Sequence, residues 1–347
     1  MLTINLIVAI AILISYSAVY IPPDKFWEPS FFGLAYPFIF IANILFVVYW
    51  IIVKPKYCLL SVLAILCGFG FLSRYVQISG KNLETGGIKV VSYNVRHFEG
   101  YDKSSPRENS NNIVDFLNGQ KPDIVCLQET RLQRYSIFNL QNTVRDIKSI
   151  NHYQFARASS SYGLVTMTSF PIVGMNEIRF KDSWNMAIYT DILIGEDTIR
   201  VFNVHFQSYG IDPNSYSIVE SPGLSEKKDI NEARDMAGKL KRAFQQRANQ
   251  VRQVREYIDE SPYPVIVCGD FNDTPMSYAY QKLRGGLTDA FISSGKGIVR
   301  TYIGKLPSFR IDNIFYSDKF DSYNFKAYND FKMSDHLPIS CNLVIKD

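Results

Sequence analysis

The chain has 347 residues with 37 Lys and Arg against 33 Asp and Glu, a net charge of +4 that makes no electrostatic demand for a nucleic-acid partner. Its five cysteines form neither a disulfide framework nor a metal-ligand spacing, and their apolar surroundings read as sites for small buried hydrophobes. The length allows one large domain or two of ordinary size.

Polarity is unevenly distributed along the chain. Residues 2–21 and 31–53 carry no charge, and residues 57–78 carry only Arg74. Each run approaches the roughly 20 apolar residues that span a bilayer as a helix, and none shows a polar face at 3.6 spacing. A signal peptide is the competing reading of the first run. It lacks a basic leader and a clear small-residue cleavage site, and two further apolar runs follow it. The sequence therefore predicts three transmembrane helices within residues 1–78, a polar linker at 79–87 (SGKNLETGG) and a second domain over 88–347. Lys54 and Lys56 lie between the second and third runs, while the first loop carries Asp24, Lys25 and Glu28. The excess of positive charge on cytoplasmic loops then places the amino terminus inside and the second domain outside, as a multi-pass protein of the cell membrane.

From Ile88 short β-rich runs alternate with turns and helical patterns. IKVVSYNV reads as a strand, Ser110 as the N-cap of a short helix ending at Gly119, and residues 123–128 as the next strand. Residues 186–206 read as a hairpin turning at 195–197. Residues 224–260 read as a helix with Leu240, Phe244, Ala248, Val251, Val254 and Ile258 on one stripe. Its basic residues, among them Arg247, read as a solvated face. The stretch VIVCGDFNDTP, residues 265–275, is a buried strand breaking at Gly269 into Asp270, Asn272 and Asp273. Standing alone it would be a turn, since Asp, Asn and Gly are turn residues.

The rest of the chain changes that reading. KVVSY leads to Asn94, DIVCLQ to Glu129, IRVFNV to His205 and VIVCG to Asp270 and Asn272. Asp312 sits in RIDNIFY, and Asp335 with His336 just ahead of LPISCNLVI. Six strands each place an acid, an amide or an imidazole near one end. Turn chemistry would not select Glu and two His for such places.

SYNV, LQE, NVHF, GDFN, RIDNIF and SDHLP, in this order, resemble the endonuclease/exonuclease/phosphatase family from about Ile88 to the C-terminus. The resemblance implies an α/β fold, a four-layer sandwich of two mostly antiparallel sheets with helices outside. It also implies metal-assisted hydrolysis of a phosphate ester, with Mg²⁺, or alternatively Mn²⁺, as cofactor. Glu129 matches the metal-anchoring position, with Asn94 as a neutral oxygen ligand or a hydrogen-bond support and Asp335 as a further ligand. Asp270 matches the residue that positions or deprotonates the attacking water, and Asn272 the amide that donates to a phosphoryl oxygen. His336 matches the general base or transition-state cation, with Asp312 as the carboxylate that fixes its tautomer. His205 matches a phosphate-contacting histidine that protonates the leaving oxygen. Asp273 falls outside the matched positions and reads as turn chemistry. His97 and His152 read as structural or surface residues, with His97 a weaker phosphate-contact candidate.

The segment VRHF after Asn94 departs from the abasic-site endonuclease pattern, and no inositol-phosphatase signature is recognisable. The expected function is therefore a membrane-anchored phosphodiesterase or phosphatase, with lipid headgroups the preferred substrate class. A membrane-anchored nuclease is the alternative, and an inactive binding or scaffold protein the remote one.

Overall fold

The apolar runs near the N-terminus become helices whose polarity is inside out. The computed structural model describes residues 1–100, 105–131, 140–158, 162–210, 227–304 and 309–346. In helices Leu2–Ser17, Tyr36–Val53 and Cys58–Leu66, the buried positions include Asn5, Ser15, Asn43 and Ser61. Leu6, Ile7, Leu45, Val48, Ile52 and Leu63 face outward. Asn5 donates to Ser61 Oγ at 2.6 Å and accepts from Trp50 Nε1 at 2.8 Å, tying all three helices together through amide and hydroxyl groups. Among the described residues one helix, Tyr36–Val53, is by length and composition long and apolar enough to cross a membrane; Leu2–Ser17 and Pro55–Leu66 are shorter apolar helices. The third run is not one continuous helix. It breaks at Gly68, where an added Cβ would lie 2.0 Å from the Tyr16 ring.

The chain forms two compact units that alternate along the sequence. The first holds Met1–Tyr75, Ser208–Arg252 and Asp273–Gly285; the second holds Val76–Gln207, Gln253–Asn272 and Gly286–Asp347. The grouping thus runs across the sequential boundary at 79–87. Within the first unit, Phe31 packs edge-on against Phe244 at 5.4 Å, and Asp24 pairs with Arg252 at 3.0 Å. Met276 is buried among Ala9, Ile12, Tyr16, Tyr36 and Ala64.

The second unit carries two six-stranded sheets. One is built from β1 (Ile88–Asn94), β2 (Ile124–Arg131), β3 (His152–Arg157), β4 (Tyr162–Thr168), β11 (Phe320–Ala327) and β12 (Ile339–Ile345). Its order is β11-β12-β1-β2-β4-β3. The other is built from β5 (Ile172–Arg179), β6 (Met186–Ile194), β7 (Asp197–His205), β8 (Val265–Asp270), β9 (Thr288–Asp289) and β10 (Asp312–Tyr316). Its order is β9-β10-β8-β7-β6-β5. Pairing is antiparallel except between β1 and β2 in one sheet and β7 and β8 in the other.

Alternation along the strands explains the packing. Val90, Ile124 and Cys126 point to the core between the sheets and meet Val201, Ile266, Cys268 and Ile314. Val91, Tyr93, Val125 and Leu127 point the other way, onto Ile113 and Leu117 of helix Pro106–Gln120. With both faces covered, these strands read as unbroken apolar runs. The helix begins earlier than the expected Ser110 cap. Ser105 accepts from the Glu108 amide at 3.3 Å, Pro106 occupies the first turn, and left-handed Lys121 ends it.

The hairpin forms as expected, with Gly195 at φ +63 between β6 and β7. The long helix runs Lys227–Asp259, and its stripe is buried at Phe244, Ala248, Val251, Val254 and Ile258; Leu224 lies outside the described residues. Two expectations fail because burial overrules local sequence. Arg247 is fully buried rather than solvated, and its Nε meets Asp273 at 3.0 Å. Asp273 is therefore an ion-pair partner, also accepting from Tyr209 and the Thr274 amide, and not a turn residue alone. Of the cysteines, Cys126, Cys268 and Cys341 fill the inter-sheet core, whereas Cys67 is exposed and Cys58 partly so.

Candidate active site

Strand direction and register bring the polar strand ends together. Parallel pairing places the carboxyl ends of partner strands at the same sheet edge, where α/β folds gather their ligands. His205 is thus the register partner of Asp270, and Asn94 that of Gln128, one residue before Glu129. Antiparallel β10 starts at that edge and sets Asp312 opposite Asp270. Gln128 crosses between the sheets to Asn203 Oδ1 at 2.8 Å, and Asn203 donates to the Leu127 and Val165 carbonyls. Both residues lie inside the LQE and NVHF stretches, yet nothing in the sequence separates a buried cross-sheet amide from a surface one.

Two backbone irregularities aim the ends. Glu129 adopts φ +52 where the register with β4 shifts between Leu127 and Thr130. This turns the carboxylate out of the strand's alternation. Arg96, His97 and Phe98 follow Asn94 with φ of 43, 56 and 63. Such conformations cost free energy in non-glycine residues and cluster at functional sites.

Asp270 is the hub. Its Oδ2 accepts from Asn94 Nδ2 and Asn272 Nδ2 at 3.0 Å each, and its Oδ1 accepts from the Asn272 amide at 2.8 Å. The His336 and His205 Nε2 atoms lie 3.7 and 3.8 Å from its carboxylate. Burial pushes the Asp270 carboxyl up to about 6, with His336 opposing the shift and Asp312 reinforcing it. His336 donates from Nδ1 to Asp312 at 2.9 Å, which leaves Nε2 turned toward Asp270. Burial alone would lower the imidazole pKa, but Asp312 and Asp270 hold it well above the ordinary 6.5. Asp312 is itself fixed by its amide donating to Thr301 Oγ1 at 3.0 Å. Tyr302 stands edge-on to the His336 ring at 5.3 Å.

Glu129 is the partly open carboxylate of the group, its side chain 23 % exposed. Asn94 Nδ2 reaches it at 3.2 Å, and the Nε2 atoms of His97 and His205 lie 3.4 Å from its two oxygens. Burial works to raise its pKa, but His205, His97 and Asn94 together hold it below the ordinary carboxylate value. His205 Nε2 is buried without a hydrogen-bond partner among the described residues. His97 packs on Tyr162 at 4.8 Å and belongs to the site. Its closeness in sequence to Asn94 was the only signal. His152 is exposed on β3, as expected.

Seven of the eight expected residues converge: Asn94, Glu129, His205, Asp270, Asn272, Asp312 and His336. The Asp335 carboxylate instead faces Arg96 Nε at 3.5 Å. Both Asn272 amide hydrogens are engaged, with the Phe206 carbonyl at 2.9 Å and with Asp270. In this arrangement Asn272 orients Asp270. A proton acceptor of intermediate pKa, an imidazolium and an open carboxylate around one edge suit hydrolysis of an ester whose oxygens carry negative charge.

Fold and site together define a hydrolase-type phosphoesterase scaffold, and sequence and structure comparisons agree. Residues 91–336 match the Endonuclease/Exonuclease/phosphatase family, and the chain belongs to it. Residues 1–75 match a domain of unknown function, DUF8431. No curated protein matches the chain significantly. Among solved structures, an endonuclease/exonuclease/phosphatase from Beutenbergia cavernae is similar with TM-score 0.54 at 15 % identity, covering 75 % of this chain and 72 % of that one. Danio rerio TDP2 complexed with single strand DNA product gives TM-score 0.55 at 18 % identity, covering 75 % and 100 %. The Bacteroides thetaiotaomicron mannosyl-6-phosphatase Bt3783 gives 0.52 at 17 %, covering 74 % and 100 %. At these identities the likeness is one of fold.

Members of this family are typically phosphoester hydrolases and generally use divalent metal ions. The residues present fit such an ion. Glu129 is kept ionised and partly open, and the Asn94 amide reaches it through Nδ2 while its Oδ1 accepts from the Arg96 amide at 3.0 Å. Asp270, Asp312 and His336 also place one ligand atom each within 4.8 Å of one another, a second group that could hold an ion; there Asp270 accepts from Asn94 and Asn272, and Asp312 accepts from His336 Nδ1.

Proposed function

We propose that this chain is a membrane-anchored, Mg²⁺-dependent phosphoesterase acting on phosphodiester or phosphomonoester bonds. The observation that carries the reading is the convergence of His336–Asp312, Asp270 and His205 beside an ionised, partly open Glu129. Glu129 and Asn94 would hold the divalent cation, Mg²⁺ or alternatively Mn²⁺, which when bound polarises a phosphoryl oxygen and offsets its charge. Asp270, oriented by Asn94 and Asn272, accepts the proton of the attacking water. His336, kept cationic by its two carboxylates, sits against charge growing on the phosphoryl oxygens. His205 gives its Nε2 proton to the leaving oxygen as the ester P–O bond breaks.

Support for anchoring comes from the inside-out helices. An apolar exterior over an amide and hydroxyl interior suits lipid and costs solubility in water. The proposed topology has three crossings, with the Lys54–Lys56 turn cytoplasmic and the catalytic fold outside. An anchored enzyme meets phospholipid or sphingolipid headgroups first, and these are the favoured substrate class. A nucleic-acid substrate is the second reading, suggested by the DNA product in the structurally similar TDP2.

The deciding test is hydrolysis of bis-p-nitrophenyl phosphate with and without EDTA, followed by phospholipid vesicles against plasmid DNA. Hydrolysis abolished by EDTA and restored by Mg²⁺ supports the enzyme. No hydrolysis of any of the three substrates refutes it, and cleavage of DNA with intact vesicles moves the nuclease ahead.

A further inference from the structure

The chain passes from Asn272, which orients Asp270, directly to Asp273, the first residue of a segment built into the body of the N-terminal helices. Several positions of that segment are held there. Asp273 is fixed by Arg247, and Met276 is buried among the N-terminal helices. Arg74, 6 % exposed, donates from Nη1 to the Pro275 carbonyl at 2.8 Å and from Nη2 to Gln281 Oε1 at 2.5 Å. Its guanidinium lies over the Phe71 and Tyr280 rings at 4.8 and 5.1 Å. Gly33 lets the backbone approach so closely that an added Cβ would fall 2.3 Å from the Met276 carbonyl.

A detachable anchor needs none of this. Burying a guanidinium is costly unless hydrogen bonds and ring faces replace its water, and a planar fork is the group that can grip a carbonyl and an amide together. Arg74 is also the single charge in an otherwise apolar run.

We propose that residues 1–75 form one body with the segment 273–285, and that Arg74 is a positioning residue that fixes this segment directly after Asn272. The inference rests on the phosphoesterase reading for its kinetic test but not for its structural one. In the full-length protein, Arg74→Ala should lower kcat on bis-p-nitrophenyl phosphate about tenfold while KM stays within about twofold, because misplacement of catalytic groups costs turnover rather than binding. Arg74→Lys should recover part of the loss, and Gln281→Ala should show a smaller one. Ser73→Ala, which removes a hydroxyl donating to the Gly70 carbonyl, should match wild type. Hydrogen exchange over residues 268–276 should rise in Arg74→Ala and Gln281→Ala. Wild-type kcat together with wild-type exchange in either variant overturns the proposal. So does a kcat loss that Arg74→Lys leaves wholly unrepaired while exchange is unchanged. If Arg74→Ala does not fold, Gln281→Ala decides alone on the same readouts. A wild type that hydrolyses nothing refutes the phosphoesterase reading, whereas unchanged exchange refutes this one.

Discussion

At the scale of single residues, protonation states set the expected behaviour. Asp270, pushed up to about 6, loses its ability to accept a proton as pH falls through that value. His336, held well above 6.5, is cationic at neutral pH and loses its charge only on the alkaline side. The pH profile of kcat/KM should therefore be a bell with its acid limb near 6. Asp312→Asn removes a group that raises the His336 pKa, so the alkaline limb should move to lower pH; an unmoved limb would show that His336 does not titrate there. The His336 ion pair also contributes stability, which is fully present below the unfolded histidine value of about 6.5 and lost as pH rises through the raised folded value. His336→Ala should cost roughly 10²–10³-fold in rate, as removal of a preorganised group that stabilises developing charge does. Glu129→Gln should shift the Mg²⁺ requirement to higher concentration with partial recovery of rate. A metal titration identical to wild type would remove Glu129 from the ligand set.

At the scale of elements, the site depends on the β7–β8 parallel pair. Gly269, at φ +144, precedes Asp270, and a Cβ there would lie 2.0 Å from the Val204 carbonyl on the neighbouring strand. Gly269→Ala must push β7 and β8 apart or distort β8 just before Asp270. It should destabilise the protein by about 2 kcal/mol or more, the scale of strained positive-φ substitutions, and depress activity further than the stability loss explains. Thermal melts paired with activity measured well below the transition separate the two effects. A variant with wild-type melting and wild-type rate would mean that the close approach of the strands is dispensable.

At the scale of the whole molecule, the apolar exterior of the N-terminal helices predicts behaviour in the cell. The protein should stay in the membrane pellet through an alkaline carbonate wash and enter solution only with detergent; release by carbonate would refute integral anchoring. A tag after Asp347 should be open to protease in spheroplasts if the proposed orientation is right. A chain starting at Gly87 would strip the helices from Met276 and Phe244, both 0–2 % exposed in the intact protein. It should aggregate or lose most of its activity even on a small soluble ester. A fully active, monomeric fragment would show that the N-terminal helices serve as an anchor alone.

The sequence by itself determined the local and ordered features. Apolar runs marked helices and strands, Gly195 marked the hairpin, and the order of motifs marked seven residues that meet at one edge. These were legible because alternation, turn chemistry and chemical type are properties of neighbouring positions. Only the tertiary structure decided matters that depend on distant pairing. The register of β7 with β8 set His205 against Asp270, and the left-handed run after Asn94 brought His97 to Glu129. Partner choice turned Asp335 to Arg96, and burial made Arg247 and Asp273 an internal ion pair. A side chain's composition and spacing say what it can bond to. What it does bond to is settled by which segments fold against it, and Arg74 finds Pro275 across 201 positions of sequence.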